Sequence, residues 1–124
     1  MGVASKVFLN PDGIVEQIFV GDLTAPIIKK TIMETNQITA KIRRKKPVLI
    51  LTDLAKAEKA DYGAKKASLE GLTSPQNNYD RVAIFGASPF MRVMSDSIIK
   101  AAGAGERVKN FSDREKALGW LKEG

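Results

Sequence analysis

Two short apolar runs open the chain, residues 3–9 (VASKVFL) and residues 14–20 (IVEQIFV), and the turn sequence Asn10-Pro11-Asp12-Gly13 separates them. Both runs are rich in Val, Ile and Phe, which favour β-strands. Proline presets φ at the second position of a turn, and glycine accepts a positive φ at its end. The pattern therefore predicts a β-hairpin.

Helical spacing follows the hairpin. Thr24 is a suitable N-cap, and Pro26 stands in the first turn, where its missing N–H is not needed. Isoleucines and threonines then recur every three or four positions, at Ile28, Thr31, Ile32, Thr35, Ile38 and Ile42. Pro47 ends this predicted helix. Residues 47–53 (PVLILTD) lack polar alternation, which is typical of a parallel strand covered by helices on both faces.

The next elements again alternate between helix and strand. Residues 56–72 are rich in Ala, Lys and Glu and predict a second helix. Residues 81–86 (RVAIFG) predict another strand that is buried on both faces. Ser88 and Pro89 predict the start of a third helix, which ends near Gly103.

A strand and a helix complete the pattern. Residues 106–111 (ERVKNF) are more polar than the other strands and predict a strand at the sheet edge. Ser112 and Glu115 fit the capping box that starts a helix. The predicted apolar face of this last helix consists of Ala117, Leu118 and Leu121.

The element order ββαβαβαβα predicts one α/β domain over residues 1–124, with a five-stranded mixed sheet in which only the first strand is antiparallel. This order, together with residues 80–99 (DRVAIFGASPFMRVMSDSII) and 106–121 (ERVKNFSDREKALGWL), resembles the SpoIIAA-like proteins. They belong to the wider group of STAS and CRAL-TRIO-like domains. The resemblance implies a STAS-like fold and non-catalytic binding of a partner protein or a small ligand.

The resemblance also concerns phosphorylation. STAS switch proteins carry a phosphorylatable serine at the start of the helix that follows the third strand. The matching stretch of this chain is Asp61-Tyr62-Gly63, and Ser68 lies further along, inside the predicted helix. We therefore expect no phosphorylation switch.

The composition narrows the possible chemistry. The chain has no cysteine and no histidine, which excludes disulfides, thiolate catalysis, Ser-His-Asp triads and the usual zinc sites. We expect no metal, no cofactor and no catalytic residue, and we expect a cytoplasmic location. Asp53 ends a buried strand near Lys56 and Tyr62 and is the one candidate acid–base group. A loop-capping aspartate is the alternative interpretation.

The turn Gly86-Ala87-Ser88-Pro89 has the strand–turn–helix shape of a phosphate-binding loop. It lacks the further glycines of a dinucleotide fingerprint and the Gly-Lys-Ser/Thr of a P-loop. Pro89 also removes one N–H from the helix start. The sequence favours a structural joint with a good N-cap, and the alternative is a weak anion site assisted by Arg92.

The net charge is +6, and much of it stands in the segment KIRRKKP. We call Lys41, Arg43, Arg44, Lys45 and Lys46 the basic rim. These cations suit an anionic lipid surface, and they equally suit the solvated C-terminal end of a helix. Aromatic residues make up only 6% of the chain, which argues against nucleic acid as a partner.

The helix at residues 90–102 is more apolar than one buried face requires. Phe90, Met94, Ile98 and Ala101 form one predicted stripe, Met91 and Val93 widen it, and Ile99 is placed on the far side. A wide apolar surface favours a second contact, such as a homodimer or a lipid, and dense packing inside the domain is the alternative.

Two functional hypotheses follow. The first is a non-enzymatic regulatory module that binds a partner protein or a small apolar or anionic ligand at the carboxyl edge of the sheet and the helix at residues 90–102. Its candidate binding residues are Asp53, Tyr62, Ser88, Phe90, Met91 and Arg92. The alternative is a peripheral membrane module that uses the basic rim together with the apolar helix.

Overall fold

The computed structural model describes residues 5–42 and 46–123, and these form five strands and four helices. The elements are β1 (Ser5–Leu9), β2 (Val15–Leu23), α1 (Ala25–Thr39), β3 (Leu49–Ala60), α2 (Tyr62–Thr73), β4 (Arg81–Phe85), α3 (Pro89–Ala101), β5 (Val108–Phe111) and α4 (Arg114–Lys122). This order confirms the predicted ββαβαβαβα arrangement.

The strands form one mixed sheet in the order β1-β2-β3-β4-β5. β1 pairs with β2 in the antiparallel sense, and every other pairing is parallel. In the hairpin turn, Asn10 Oδ1 accepts hydrogen bonds from the backbone N–H groups of Asp12 and Ile14. The predicted fold class, the antiparallel first strand and the edge position of β5 are thus confirmed.

The helices cover the sheet unequally. Right-handed crossovers between successive neighbouring strands place α1, α2 and α3 on one face. The larger core lies there and includes Phe19, Ile28, Ile50, Ala64, Ile84, Met91 and Ile99. α4 follows the last strand and packs on the opposite face, where the smaller core consists of Ile14, Leu51, Ala83, Phe85, Ala117 and Leu121.

The predicted boundary between β3 and α2 was wrong. β3 continues to Ala60, whereas the sequence predicted a strand that ends at Asp53 and a helix from Lys56. Lys56 and Ala57 pair with Val20 and Gly21 of β2. Pairing along the long β2 strand outweighs the helix preference of these Ala, Lys and Glu residues, because intrinsic propensity is weaker than tertiary contact.

The structure corrects the predicted place of Ile99 on the far side of α3. Met91 and Ile99 are its buried residues, while Phe90 and Ala101 of the predicted stripe are exposed. Met94 of the stripe also packs against the core, so the packed side combines part of the stripe with Met91 and Ile99. The apolar pattern of this helix was too wide to show which side packs on the sheet.

One helix cap differs as well. Asp113 is the N-cap of α4, and its Oδ1 accepts a hydrogen bond from the N–H of Lys116 at 2.9 Å. The predicted capping box placed this role on Ser112. Both Ser112 and Asp113 are good caps, and the carboxylate of Asp113 also interacts favourably with the helix dipole.

Candidate functional site

A cavity of about 180 Å³ lies between the sheet and the helices α1, α2 and α3. Its walls are mainly apolar. The strands contribute Phe19, Leu23, Ile50, Leu54, Val82, Ile84 and Val108, and the helices contribute Ile28, Ile32, Leu72, Met91, Met94, Ile98 and Ile99. An engineered apolar cavity of roughly 150 Å³ in another protein stays dry and binds benzene. The space found here is therefore large enough for a single-ring molecule.

Small residues on α2 leave this space open. Ala64, Ser68 and Gly71 line the cavity from the helix that lies over its middle. Gly71 also lets α1 approach, since a Cβ at this position would lie 2.6 Å from Ile32 Cδ1. The small size of Ala64, Ser68 and Gly71 thus leaves room between α2 and the sheet.

The cavity opens between α2 and α3. Lys65 and Ser68 on α2, and Met94, Ser95 and Ile98 on α3, line the cavity and retain solvent exposure. A molecule that enters between these helices would therefore pass an apolar surface with two hydroxyl groups and one cation.

The loop before β4 closes the cavity near the amino edge of the sheet. Asn36 donates a hydrogen bond to Asn77, which in turn donates to the carbonyl of Gly71. The hydroxyl of Tyr79 donates to the carbonyl of Leu72 at 3.0 Å. Burial raises the pKa of Tyr79, although the positive charge of Arg107 opposes this effect. These contacts hold the loop against α1 and α2.

A chain of hydrogen bonds forms the polar part of the cavity wall. Thr31 Oγ1 donates to the carbonyl of Ile27, and Thr35 Oγ1 donates to the carbonyl of Thr31. Gln17 Nε2 donates to Thr35 Oγ1 at 2.9 Å, and Thr52 Oγ1 donates to Gln17 Oε1 at 2.8 Å. Gln17, Thr31, Thr35 and Thr52 all line the cavity. Polar groups from two strands and one helix thus meet in a mainly apolar space.

The candidate residues from the sequence lie in three different places. Met91 is buried in the cavity wall. Tyr62, Ser88, Phe90 and Arg92 are exposed at the carboxyl edge, where α2 and α3 begin. Tyr62 and Phe90 retain 78% and 68% of their full exposure.

Asp53 lies on the other face of the sheet. Its neighbours Thr52 and Leu54 line the cavity, and side chains of a strand alternate between faces. Asp53 Oδ1 accepts a hydrogen bond from the N–H of Ala55 at 2.8 Å, so it caps its own backbone. The structure therefore does not bring Asp53 together with the other candidate residues.

The turn at Gly86 has a structural explanation. Gly86 has a φ of 79°, and a Cβ there would lie 2.9 Å from both the Cβ and the N of Ala55. Ser88 Oγ accepts the N–H of Met91 and caps α3. The positive φ, the close approach of β3 and the cap account for these residues without a bound anion.

Two residues of the basic rim and the exposed Phe90 lie at opposite edges of the sheet. Lys41 and Lys46 are exposed between the end of α1 and the start of β3, at the amino edge. Arg43, Arg44 and Lys45 lie outside the described residues. Phe90 follows β4 at the carboxyl edge. Lys41 and Lys46 are therefore about the length of a helix away from Phe90, whereas the apolar helix α3 runs from the carboxyl edge back toward the amino edge.

Sequence reasoning missed the polar part of the cavity. Gln17 and Thr52 are polar residues next to apolar runs of their strands, and Thr31 and Thr35 fall on the buried stripe of α1. These positions could have indicated a buried hydrogen-bond network, because polar residues that face a core need hydrogen-bond partners there. The pattern alone does not show that the four residues meet.

No helix in the described part of the chain is long and apolar enough to cross a membrane. Within residues 5–42 and 46–123, no group of acidic side chains is arranged to hold a metal ion.

Fold and cavity together define a small α/β domain with an internal, mainly apolar cavity. The sequence model of the SpoIIAA-like family matches residues 14–122, and the chain therefore belongs to this family. No curated protein matches the chain.

A solved structure supports the fold. The crystal structure of an uncharacterized protein with a SpoIIAA-like fold, from Shewanella loihica PV-4, superposes with a TM-score of 0.66 at 22% sequence identity. The match covers 95% of this chain and 92% of that chain. At this identity the similarity shows a shared fold.

Proposed function

We propose that this protein is a non-enzymatic binding module that holds a small apolar ligand in the cavity between the sheet and α1, α2 and α3. SpoIIAA-like proteins are typically regulatory or binding modules, and their fold is generally non-enzymatic. The observation that carries the proposal is the apolar cavity of about 180 Å³, which opens between two helices.

The expected affinity follows from the size of the cavity. Wall atoms around an empty space lack contact partners on one side, and a ligand of matching shape restores these contacts. Each buried carbon contributes about 0.8 kcal/mol. A ligand of about seven carbon atoms should therefore bind with a Kd on the order of 0.1 mM.

Methyl NMR with toluene as the probe tests the proposal. Signals of the isoleucine δ1-methyl groups should shift saturably for the residues that line the cavity, which are Ile28, Ile32, Ile50, Ile84, Ile98 and Ile99. Ile14 packs in the opposite core and should not move. Shifts spread over both cores, or no saturable shift at all, would contradict the proposal.

A pair of variants locates the binding. Ser68→Phe places a ring at the cavity mouth and should weaken toluene binding at least tenfold. Ser97→Phe makes the same substitution at an exposed position of α3 that does not line the cavity, and it should leave binding unchanged. Equal binding by both variants would place the ligand elsewhere.

A second candidate function is binding of a protein partner at the carboxyl edge. Tyr62 at the start of α2, and Phe90 and Val93 at the start of α3, keep 78%, 68% and 71% of their exposure. Large apolar side chains exposed together on a surface are typical of a contact with a partner. Sedimentation velocity over a concentration series tests the case of a second copy as the partner. Self-association in the wild type that is lost in Phe90→Ser would support a second copy as the partner. A monomer at all concentrations would exclude a second copy.

A further inference from the structure

The hydrogen-bond chain in the cavity wall has a fixed direction. Thr35 gives its only hydroxyl proton to the carbonyl of Thr31, so Thr35 Oγ1 acts as an acceptor toward Gln17. This arrangement places the Nε2 of Gln17 toward Thr35 and its Oε1 toward Thr52. Thr52 then gives its own proton to Gln17 Oε1. Each donor in the chain has one defined acceptor.

At the end of this hydrogen-bond chain, one donor of Gln17 and one acceptor of Thr52 remain unused. A glutamine amide carries two N–H donors, and a threonine hydroxyl carries one donor and two lone pairs. Among the described residues, Gln17 Nε2 donates only to Thr35, and Thr52 Oγ1 accepts no hydrogen bond. The wall therefore offers one N–H donor and one acceptor side by side, both on residues that line the cavity.

We infer that the cavity selects compact apolar ligands that carry a neutral hydroxyl group, such as a small alcohol or phenol. The inference rests on the proposed function of this cavity. A hydroxyl oxygen accepts the second N–H of Gln17, while its proton is donated to Thr52 Oγ1. Since the side chains of Gln17 and Thr52 are hydrogen-bonded to each other at 2.8 Å, one ligand oxygen can reach both.

Other polar groups fit this wall less well. A ketone or an ether has no proton to donate, so the lone pair of Thr52 Oγ1 would accept no hydrogen bond, although Thr52 still donates to Gln17. A carboxylate would bring a charge into an apolar space and face the lone pairs of Thr52, and burial of an unpaired charge is strongly unfavourable. A plain hydrocarbon fits the volume but uses neither group, so it should bind more weakly than its hydroxylated analogue.

A matched set of ligands tests the inference with the same isoleucine methyl NMR titration. Benzyl alcohol should bind the wild type roughly fivefold more tightly than toluene, which corresponds to about one net hydrogen bond. Benzoate should bind more weakly than either probe. All three contain one aromatic ring with one substituent carbon, so the comparison isolates the polar group.

Two variants remove the polar groups one at a time. Gln17→Met keeps the length of the side chain, and Thr52→Val keeps its shape, so failure of one variant to fold leaves the other as the test. Either change should abolish the preference for benzyl alcohol and preserve toluene binding. Gln37→Met alters an exposed residue of α1 and should keep the wild-type preference.

The possible results separate this inference from the proposed function. Toluene that binds as tightly as benzyl alcohol would overturn the hydroxyl preference and leave the apolar site in place. If benzoate binds most tightly, a contact between its charge and Lys65 at the opening of the cavity would replace the hydroxyl preference. A preference that survives in both variants would remove the role of Gln17 and Thr52. No binding of any probe would overturn the proposed function and this inference together.

Discussion

Arg114 donates two hydrogen bonds to the carboxylate of Glu16, from Nη1 to Oε1 at 2.8 Å and from Nη2 to Oε2 at 2.7 Å. The two residues are separated by 98 positions in the chain. The side chain of Glu16 is 7% exposed, and that of Arg114 is 46% exposed. The pair joins the first residue of α4 to β2, and thereby ties the last helix to the start of the sheet.

Loss of Arg114 should therefore destabilise the domain. Arg114→Gln leaves the carboxylate of Glu16 buried with Asn10 as its remaining hydrogen-bond donor. An unsatisfied buried group typically costs about 1–3 kcal/mol, and we expect the lower half of this range because solvent reaches the arginine side. Urea unfolding monitored by circular dichroism measures the change in the free energy of unfolding.

An exposed ion pair in the same region provides the control. Lys122 and Asp12 are 3.1 Å apart, with side chains 53% and 60% exposed. Pairs in solvent contribute little, so Lys122→Gln should change the free energy of unfolding by less than about 0.5 kcal/mol. Equal effects of Lys122→Gln and Arg114→Gln would show that burial of Glu16 adds nothing.

The same carboxylate predicts an acid dependence. The hydrogen bonds from Arg114 hold the pKa of Glu16 below its ordinary value of 4.5, against the opposing effect of burial and with help from Asn10. A depressed folded-state pKa adds stability that is present above the unfolded-state pKa and is lost as the pH falls through the folded-state pKa.

The wild type should therefore lose its stability advantage over Glu16→Gln as the pH is lowered from above 4.5 to below the folded-state pKa. Urea unfolding of both proteins across this range measures the difference. A difference that stays constant with pH would mean that ionisation of Glu16 does not contribute.

Local patterns predicted most of the fold. Apolar runs with turn residues between them located the hairpin and β4, and the spacing of isoleucines located α1. The boundary of β3 was not predictable in this way. Residues 54–60 favour a helix by composition, and only the presence of β2 beside them makes the strand more stable.

The candidate site was less predictable. Met91 was named from the sequence and lies in the cavity wall, but it was grouped with residues at the sheet edge. Gln17, Thr35 and Thr52 come from three separate elements, and their meeting depends on how α1 lies across β2 and β3. A cavity arises from the packing between helices and sheet, so a local sequence pattern does not predict it.

Gly86 and Gly103 provide a test of close packing at the β4–α3 turn. Both have a positive φ, 79° for Gly86 and 65° for Gly103. A Cβ at position 86 would lie 2.9 Å from Ala55, whereas a Cβ at position 103 would have no atom within 4 Å. The left-handed conformation costs a residue with a side chain about 1–2 kcal/mol. Overpacking adds about 1–3 kcal/mol.

Gly86→Ala should therefore lower the free energy of unfolding by about 2–5 kcal/mol, and Gly103→Ala by about 1–2 kcal/mol. Chemical unfolding of the two variants gives the comparison. Similar losses at the two positions would indicate that conformation alone, and not the approach of Ala55, requires glycine at position 86.

Tyr79 and Tyr62 allow one substitution to be compared in two environments. The buried hydroxyl of Tyr79 donates to the carbonyl of Leu72 near the end of α2, whereas Tyr62 is 78% exposed. Tyr79→Phe removes this donor and leaves the carbonyl without it, so the free energy of unfolding should fall by about 1 kcal/mol. Tyr62→Phe removes a hydroxyl that water already solvates and should change it by less than about 0.5 kcal/mol. Thermal and urea unfolding measure both values.

Because the loop around Tyr79 closes the amino-edge end of the cavity, Tyr79→Phe should also speed hydrogen exchange in residues 74–80. Unchanged exchange there, together with an unchanged unfolding free energy, would show that this hydrogen bond does not hold the loop.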